Sequence, residues 1–225
     1  MEKKLILLLL IASSIGLTGC LREGVDTIAL PFGRVPNTVI PQEVRDQLGQ
    51  YMPIYEGITP PDITGKYCAQ PTQLVYASDN GFSVGHVFAP TYFSFDNQTA
   101  SGMATYSEKQ ASSIASSTEV YVVGSGNNFT AYFITYKTHY DENGNVEATC
   151  TLSNILSGTI TNNGIANYKS TIVMLEKDDP KDVLMDVNVF RVFEDGDGLA
   201  SKYNWSKSEK DDSNLPSNII KSLKH

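Results

Sequence analysis

Between Phe129 and Tyr140 the chain alternates: Phe129, Ala131, Phe133 and Thr135 fall on one side of an extended backbone, and Tyr132, Ile134, Tyr136 and Tyr140 on the other. Val146, Ala148, Cys150 and Leu152 then alternate with Glu147, Thr149, Thr151 and Ser153. The stretch 165–177 repeats the pattern. So does 183–193, with Val183, Met185, Val187, Val189 and Phe193 expected inward and Asp186, Asn188 and Glu194 outward. Asn162-Asn163-Gly164 and Asp141-Glu142-Asn143-Gly144 supply residues that tolerate the positive φ of tight hairpins, and Gly124-Ser125-Gly126-Asn127 does so less specifically. Five strands in a row therefore form a meander, roughly 118–124, 128–140, 146–161, 164–176 and 183–193. Weaker runs at 65–76, 86–95 and 101–107 bring the count to about eight, and 108–117, rich in Ser and charge, reads as a polar loop. A mainly β chain of this kind closes most simply into a single antiparallel up-and-down barrel, which leaves no exposed edge; a β-sandwich is the alternative.

Composition narrows the class of partner. With 225 residues, 41% hydrophobic, 19% charged and only 10 prolines, the chain is globular, with one domain or at most one and a half. Its net charge of −8 lacks the basic surface that nucleic acid requires, so no nucleic-acid partner is expected.

The first twenty residues carry an address. Lys3 and Lys4 precede an apolar run from Leu5 to Ala12, too short to span a bilayer, and Leu17-Thr18-Gly19-Cys20 follows. This ending resembles the lipobox of bacterial lipoproteins, which implies a signal peptide over 1–19, cleavage before Cys20 and lipidation of that cysteine. The resemblance further implies a soluble body held to the membrane by lipid alone. Leu21 stands where Asp would retain an enteric lipoprotein at the inner membrane, so the outer membrane is expected, at the cell surface or the periplasmic leaflet. Residues 20–40 read as a tether, and within them Asp26-Thr27-Ile28 looks like the O-glycosylation acceptor of Bacteroidetes.

Pro41 suits the first turn of a helix, Gln42-Glu43 place an acid near its positive end, and Val44, Leu48 and Tyr51 recur at i, i+4 and i+7. A short helix ending near Met52 and docked on the domain is expected, followed by a strap that Pro53 and Pro60-Pro61 hold extended; together they occupy 41–64. The β domain then runs over 65–199. A tail, 200–225, has at most a short terminal helix around Ile219, Ile220 and Leu223.

Catalytic and metal motifs are not found. Val123-Gly124-Ser125-Gly126-Asn127 lacks the spacing of a nucleophile elbow, and no two of His86, His139 and His225 have metal-ligand spacing. His139, near a hairpin turn, and His225, the last residue, are expected in solvent. The acids at Asp178-Asp179, Asp182 and Glu194-Asp195-Gly196-Asp197-Gly198 fail the calcium-loop pattern, as does the run from Asp141. No metal, cofactor or enzymatic activity is expected, although a glycosidase pair among the acids is not readable from sequence. With Cys20 acylated, Cys68 and Cys150 either pair or stay as buried thiols; the barrel sets their strands apart and favours free thiols. Tyr132, Tyr136 and Tyr140 form either a stacking platform for a glycan or packing beneath the helix, with packing preferred.

The inward set of a barrel would include Phe133, Cys150, Leu152, Val187 and Val189. The prevalence of small side chains at inward positions leans toward a cavity for a small, partly apolar ligand. Gly65-Lys66-Tyr67 looks like a variant of the Gly-x-Trp that opens many lipocalins, and Arg191 resembles the basic residue that packs over that aromatic ring. With the lipobox, tether, Met52-Pro53-Ile54-Tyr55-Glu56-Gly57 and Pro60-Pro61, the chain resembles lipocalin-like surface lipoproteins of Bacteroidetes. The resemblance implies a ligand-binding barrel with Arg191 as a structural cation or a ligand contact. A surface glycan- or protein-binding module on a sandwich is the alternative.

Overall fold

The computed structural model describes residues 39–40 and 42–203. Cys20, Asp26-Thr27-Ile28, His225 and the terminal helix expected near Ile219 lie outside them. The described chain is mainly β. A seven-residue helix, α1 (Gln42–Leu48), precedes eleven strands: β1 (Gly65–Ala69), β2 (Thr72–Ala77), β3 (Val87–Phe88), β4 (Thr91–Asp96), β5 (Met103–Gln110), β6 (Ser113–Ser125), β7 (Asn128–Tyr140), β8 (Val146–Ile160), β9 (Gly164–Asp178), β10 (Phe190–Asp195) and β11 (Leu199–Lys202). All belong to one antiparallel sheet with the order β11-β1-β4-β5-β6-β7-β8-β9-β10-β2-β3, and a further pairing of β11 with β9 gives it a ring-like closure.

Several strands are parts of longer extended segments. β1 and β2 are separated by the cis Gln70–Pro71 bond, β3 and β4 by Ala89-Pro90, and β10 and β11 by Gly196-Asp197-Gly198. Register continues across these breaks, since Tyr67 lies opposite Lys202 and Asp195 opposite Thr72 along the same pair of segments. Buried Asp195 ties the two breaks together by accepting hydrogen bonds from the Gln70 N–H (2.8 Å) and the Asp197 N–H (3.0 Å).

Two expectations about strand limits are corrected. Residues 108–117 are not a loop: β5 reaches Gln110 and β6 starts at Ser113, with Glu108 opposite Ala115 and Gln110 opposite Ser113. Their Ser, Glu and Lys side chains look loop-like only while the ring's interior is assumed to be apolar. The strand expected over 183–193 starts at Phe190, so Val187 and Val189 lie in the β9–β10 loop and not on an inward strand face. The Asp179 carboxylate accepts from the Val183 N–H (3.0 Å) and the Leu184 N–H (2.8 Å), and Lys177 reaches both Asp182 and Asp186 at 3.3 Å. Those bonds use the backbone donors that a ladder would need. The acids there organise a loop, and among the described residues no group of acids, Cys and His could hold a metal ion.

Inside the ring Tyr67, Phe93, Phe95, Tyr106, Phe129, Phe133 and Tyr168 form an aromatic core with Leu156 and Ile165. Phe93 lies 5.5 Å from the Tyr67 ring and 5.4 Å from the Tyr168 ring, close to stacked. The strap after α1 covers this end. Tyr55 N–H donates to Thr130 Oγ1 (2.8 Å), and Ile63, fully buried, is held by Gln98, which accepts from its N–H and donates to the Pro61 carbonyl, each at 2.9 Å. Gly57 meets β6 at Gly124, where a Cβ on Gly57 would stand 2.4 Å from the Gly124 oxygen; with a φ of 132° Gly57 also occupies backbone space that suits glycine.

Positions alternating with this core face outward, and α1 lies over them. Val44, Leu48 and Met52 are buried with Tyr132, Ile155, Val173, Phe190 and Val192. Tyr51, in the turn after α1, stacks on Tyr76 at 4.0 Å between ring centroids. Thr171 Oγ1 donates to Met52 Sδ, and Ser153 Oγ donates to the Val39 carbonyl.

Candidate functional site

The end of the ring opposite the strap is hollow. A cavity of about 240 Å³ stands on a floor of Tyr106, Phe133, Leu156 and Tyr168. Its walls differ in chemistry. β5 and β7 contribute Glu108, Gln110, Lys137 and His139, while β8, β9 and the β9–β10 loop contribute Cys150, Leu152, Met174, Val183, Leu184 and Met185. Phe88, Phe193, Thr72 and Thr91 stand toward the mouth.

The polar wall follows from strand period. Ala104, Tyr106, Glu108 and Gln110 occupy alternate positions on β5, as do Phe133, Thr135, Lys137 and His139 on β7. Lys137 Nζ bonds Glu108 Oε1 at 2.8 Å with both side chains largely buried, and the Tyr106 hydroxyl donates to Glu108 Oε2 at 2.7 Å. Burial by itself raises a carboxyl's pKa, but Lys137 and Tyr106 outweigh it and hold Glu108 below its ordinary value. Burial, with the neighbouring Lys137 charge, lowers His139 from 6.5 to about 4, so its imidazole is neutral at pH 7. Gln110 is fixed by donating to the Ala89 carbonyl (3.1 Å) and Thr91 Oγ1 (2.9 Å), and Thr91 Oγ1 lies 3.1 Å from Thr72 Oγ1. Asn154, also at the cavity, donates to Thr135 Oγ1 (2.9 Å) and the Leu152 carbonyl (3.0 Å).

The apolar wall is completed by a loop. Cys150, Leu152 and Met174 are buried against Ile172, Leu184 and Met185, so the β9–β10 loop lies over the cavity as a flap. Burial raises the Cys150 thiol, which disfavours thiolate chemistry there. Cys68 and Cys150 are both free thiols.

Of the ligand residues expected from sequence, Phe133, Cys150, Leu152 and Arg191 come together at the cavity. Val187 and Val189 do not line it: Val187 is exposed in the flap loop and Val189 half-buried beside it, because the strand that would have aimed them inward starts only at Phe190. Arg191 does not pack over Tyr67. Its guanidinium forms a two-point bond with Asp79 (3.2 and 2.6 Å) and lies 5.0 Å from the centroid of Phe82, so the aromatic partner is supplied by the β2–β3 connection. His139 is not in open solvent but half-buried in the polar wall. The tyrosines make no platform: Tyr132 is buried under α1, whereas Tyr136 is 72% exposed.

Glu108 and Lys137 escape a reading of the sequence because charged residues at inward positions resemble loop or surface. The signal is nevertheless present: the alternation that places Phe133 inside, continued by two and by three pairs, places Lys137 and His139 inside as well.

Comparison with protein-family models, with curated proteins and with solved structures finds no match.

Proposed function

We propose that this chain is a binding protein of lipocalin-like build that takes a small, partly apolar ligand into the open end of its ring. The cavity carries the reading: one end is sealed by aromatic side chains and the strap, and the other is hollow with one polar and one apolar wall. Counting each broken segment once, the ring has eight strands, with 65–77 paired to 190–202. This supports an up-and-down barrel over a sandwich. Phe133, Cys150 and Leu152 are ligand contacts in this reading. Arg191 is a structural cation that holds the β2–β3 connection at the mouth.

The sequence of the first twenty residues supports a lipid anchor at Cys20 and a place at the outer membrane, resembling the surface lipoproteins of Bacteroidetes. The membrane is then a partner through lipid alone, and the protein acts by binding and not by catalysis. Native mass spectrometry of protein extracted gently from its own membranes tests the whole reading. The expected spectrum carries acyl mass on the chain and a small molecule that leaves on collisional activation. A chain without acyl mass contradicts the anchor, and one that neither carries nor takes up an apolar compound contradicts the carrier.

A further inference from the structure

The charges around the cavity cancel. Among the described residues the acidic and basic side chains of the lining are Glu108, Lys137, His139 and Arg191, while burial keeps the Tyr106 and Tyr168 hydroxyls and the Cys150 thiol protonated at pH 7. Glu108 and Lys137 are bonded to each other, Arg191 is bonded to Asp79, and the imidazole is held neutral. A charged ligand entering this space gives up hydration and meets no uncompensated opposite charge. A carboxylate beside Lys137 meets a cation already offset by Glu108, and an ammonium beside Glu108 meets a carboxylate already offset by Lys137. Either arrangement leaves one buried charge unbalanced.

The same wall still offers donors. Lys137 directs one of its three N–H bonds at Glu108, and no hydrogen bond to the His139 ring exists among the described residues. The opposite wall of Leu152, Met174, Leu184 and Met185 offers only apolar surface. Resting on the carrier reading above, we propose that the cavity selects uncharged molecules with an apolar body and an oxygen acceptor, such as an ester, ketone or alcohol, and rejects the acid and amine of the same shape. The Glu108–Lys137 pair is the specificity device: it supplies polarity without net charge.

Calorimetric titration of the full chain at pH 7.5 with methyl decanoate below its solubility limit, and with decanoate and decylammonium below their micellar ranges, tests this. The ester is expected to bind at least about tenfold more tightly than either ion. Glu108→Gln, which leaves Lys137 without a counter-charge, should shift preference toward decanoate. Lys137→Met should shift it toward decylammonium. Wild-type preference for either ion, or equal affinity for all three, overturns the proposal while leaving the carrier reading intact. So do variants that keep their fold by circular dichroism and show the wild-type order. Failure of all three probes to bind the wild-type chain overturns the carrier reading and the proposal with it.

Discussion

At the scale of single residues, the interior of the ring is governed by a few polar groups placed where an apolar core would ordinarily continue. His139 has a pH consequence. Its folded value of about 4 lies below the ordinary 6.5, so between those limits the unfolded chain binds more protons than the folded one, and stability falls as pH falls. The contribution is fully present above 6.5 and is lost progressively toward 4. Glu108, also lowered, acts with the same sign at more acid pH, whereas Asp195, raised first by burial, acts with the opposite sign. Urea midpoints at pH 7.5 and 5 should therefore drop more for wild type than for His139→Gln. Equal drops would place the imidazole in solvent. Arg191 makes a geometric prediction. Because its fork meets both oxygens of Asp79, Arg191→Lys should not restore the bond, and Arg191→Met should cost about 2 kcal/mol in denaturant unfolding, no more when combined with Asp79→Asn. Additive losses would mean that the pair contributes nothing jointly.

At the scale of elements, α1 and the flap loop are held by different forces. α1 is seven residues long, too short to persist alone, and stays through Val44 and Leu48 on the outer face of β7 to β10. Leu48→Ala should lower stability by about 3 kcal/mol in urea unfolding, and an unchanged midpoint would detach the helix from the domain. The β9–β10 loop is shaped by Asp179 and Lys177, so Asp179→Ala frees the N–H groups of Val183 and Leu184 and should speed exchange at those two amides without moving the global midpoint by more than about 1 kcal/mol. The long strands are legible because β7, β8 and β9 alternate, and because β7 ends in Asp141-Glu142-Asn143-Gly144 and β8 in Asn162-Asn163-Gly164. The run through Val187 and Val189 reads as a strand because a loop can alternate by chance when its backbone donors are taken by a side chain, which spacing does not reveal. The closed end of the β5–β6 hairpin, 108–117, reads as a loop for the opposite reason. Its inward residues are polar, and polarity mimics a loop unless a buried partner such as Lys137 is known.

At the scale of the whole molecule, one end of the ring is filled and the other left open, and the division follows side-chain volume. Rings from Tyr67, Phe93, Phe95, Phe129 and Phe133 meet at the strap end. Toward the mouth Thr72, Thr91, Cys150 and Leu152 are too small to meet across the ring, and the longer Glu108, Lys137 and Arg191 are held in ion pairs with their neighbours. A cavity follows, together with exposed apolar side chains near the mouth: Phe82, Val84 and Val87 around the β2–β3 hairpin, and Val183 and Val187 in the flap. Aromatic content alone did not locate that division, since the same residue types serve the core, the outer face and the mouth. The central claim is that the hollow end holds a ligand. Filling it is the direct test, by native mass spectrometry of the uptake of methyl decanoate in wild type, Leu152→Trp and Ile58→Trp, the last an exposed control away from the mouth. Uptake by wild type and by Ile58→Trp, with loss in a folded Leu152→Trp, is the result predicted; uptake that Leu152→Trp leaves unchanged would contradict the account.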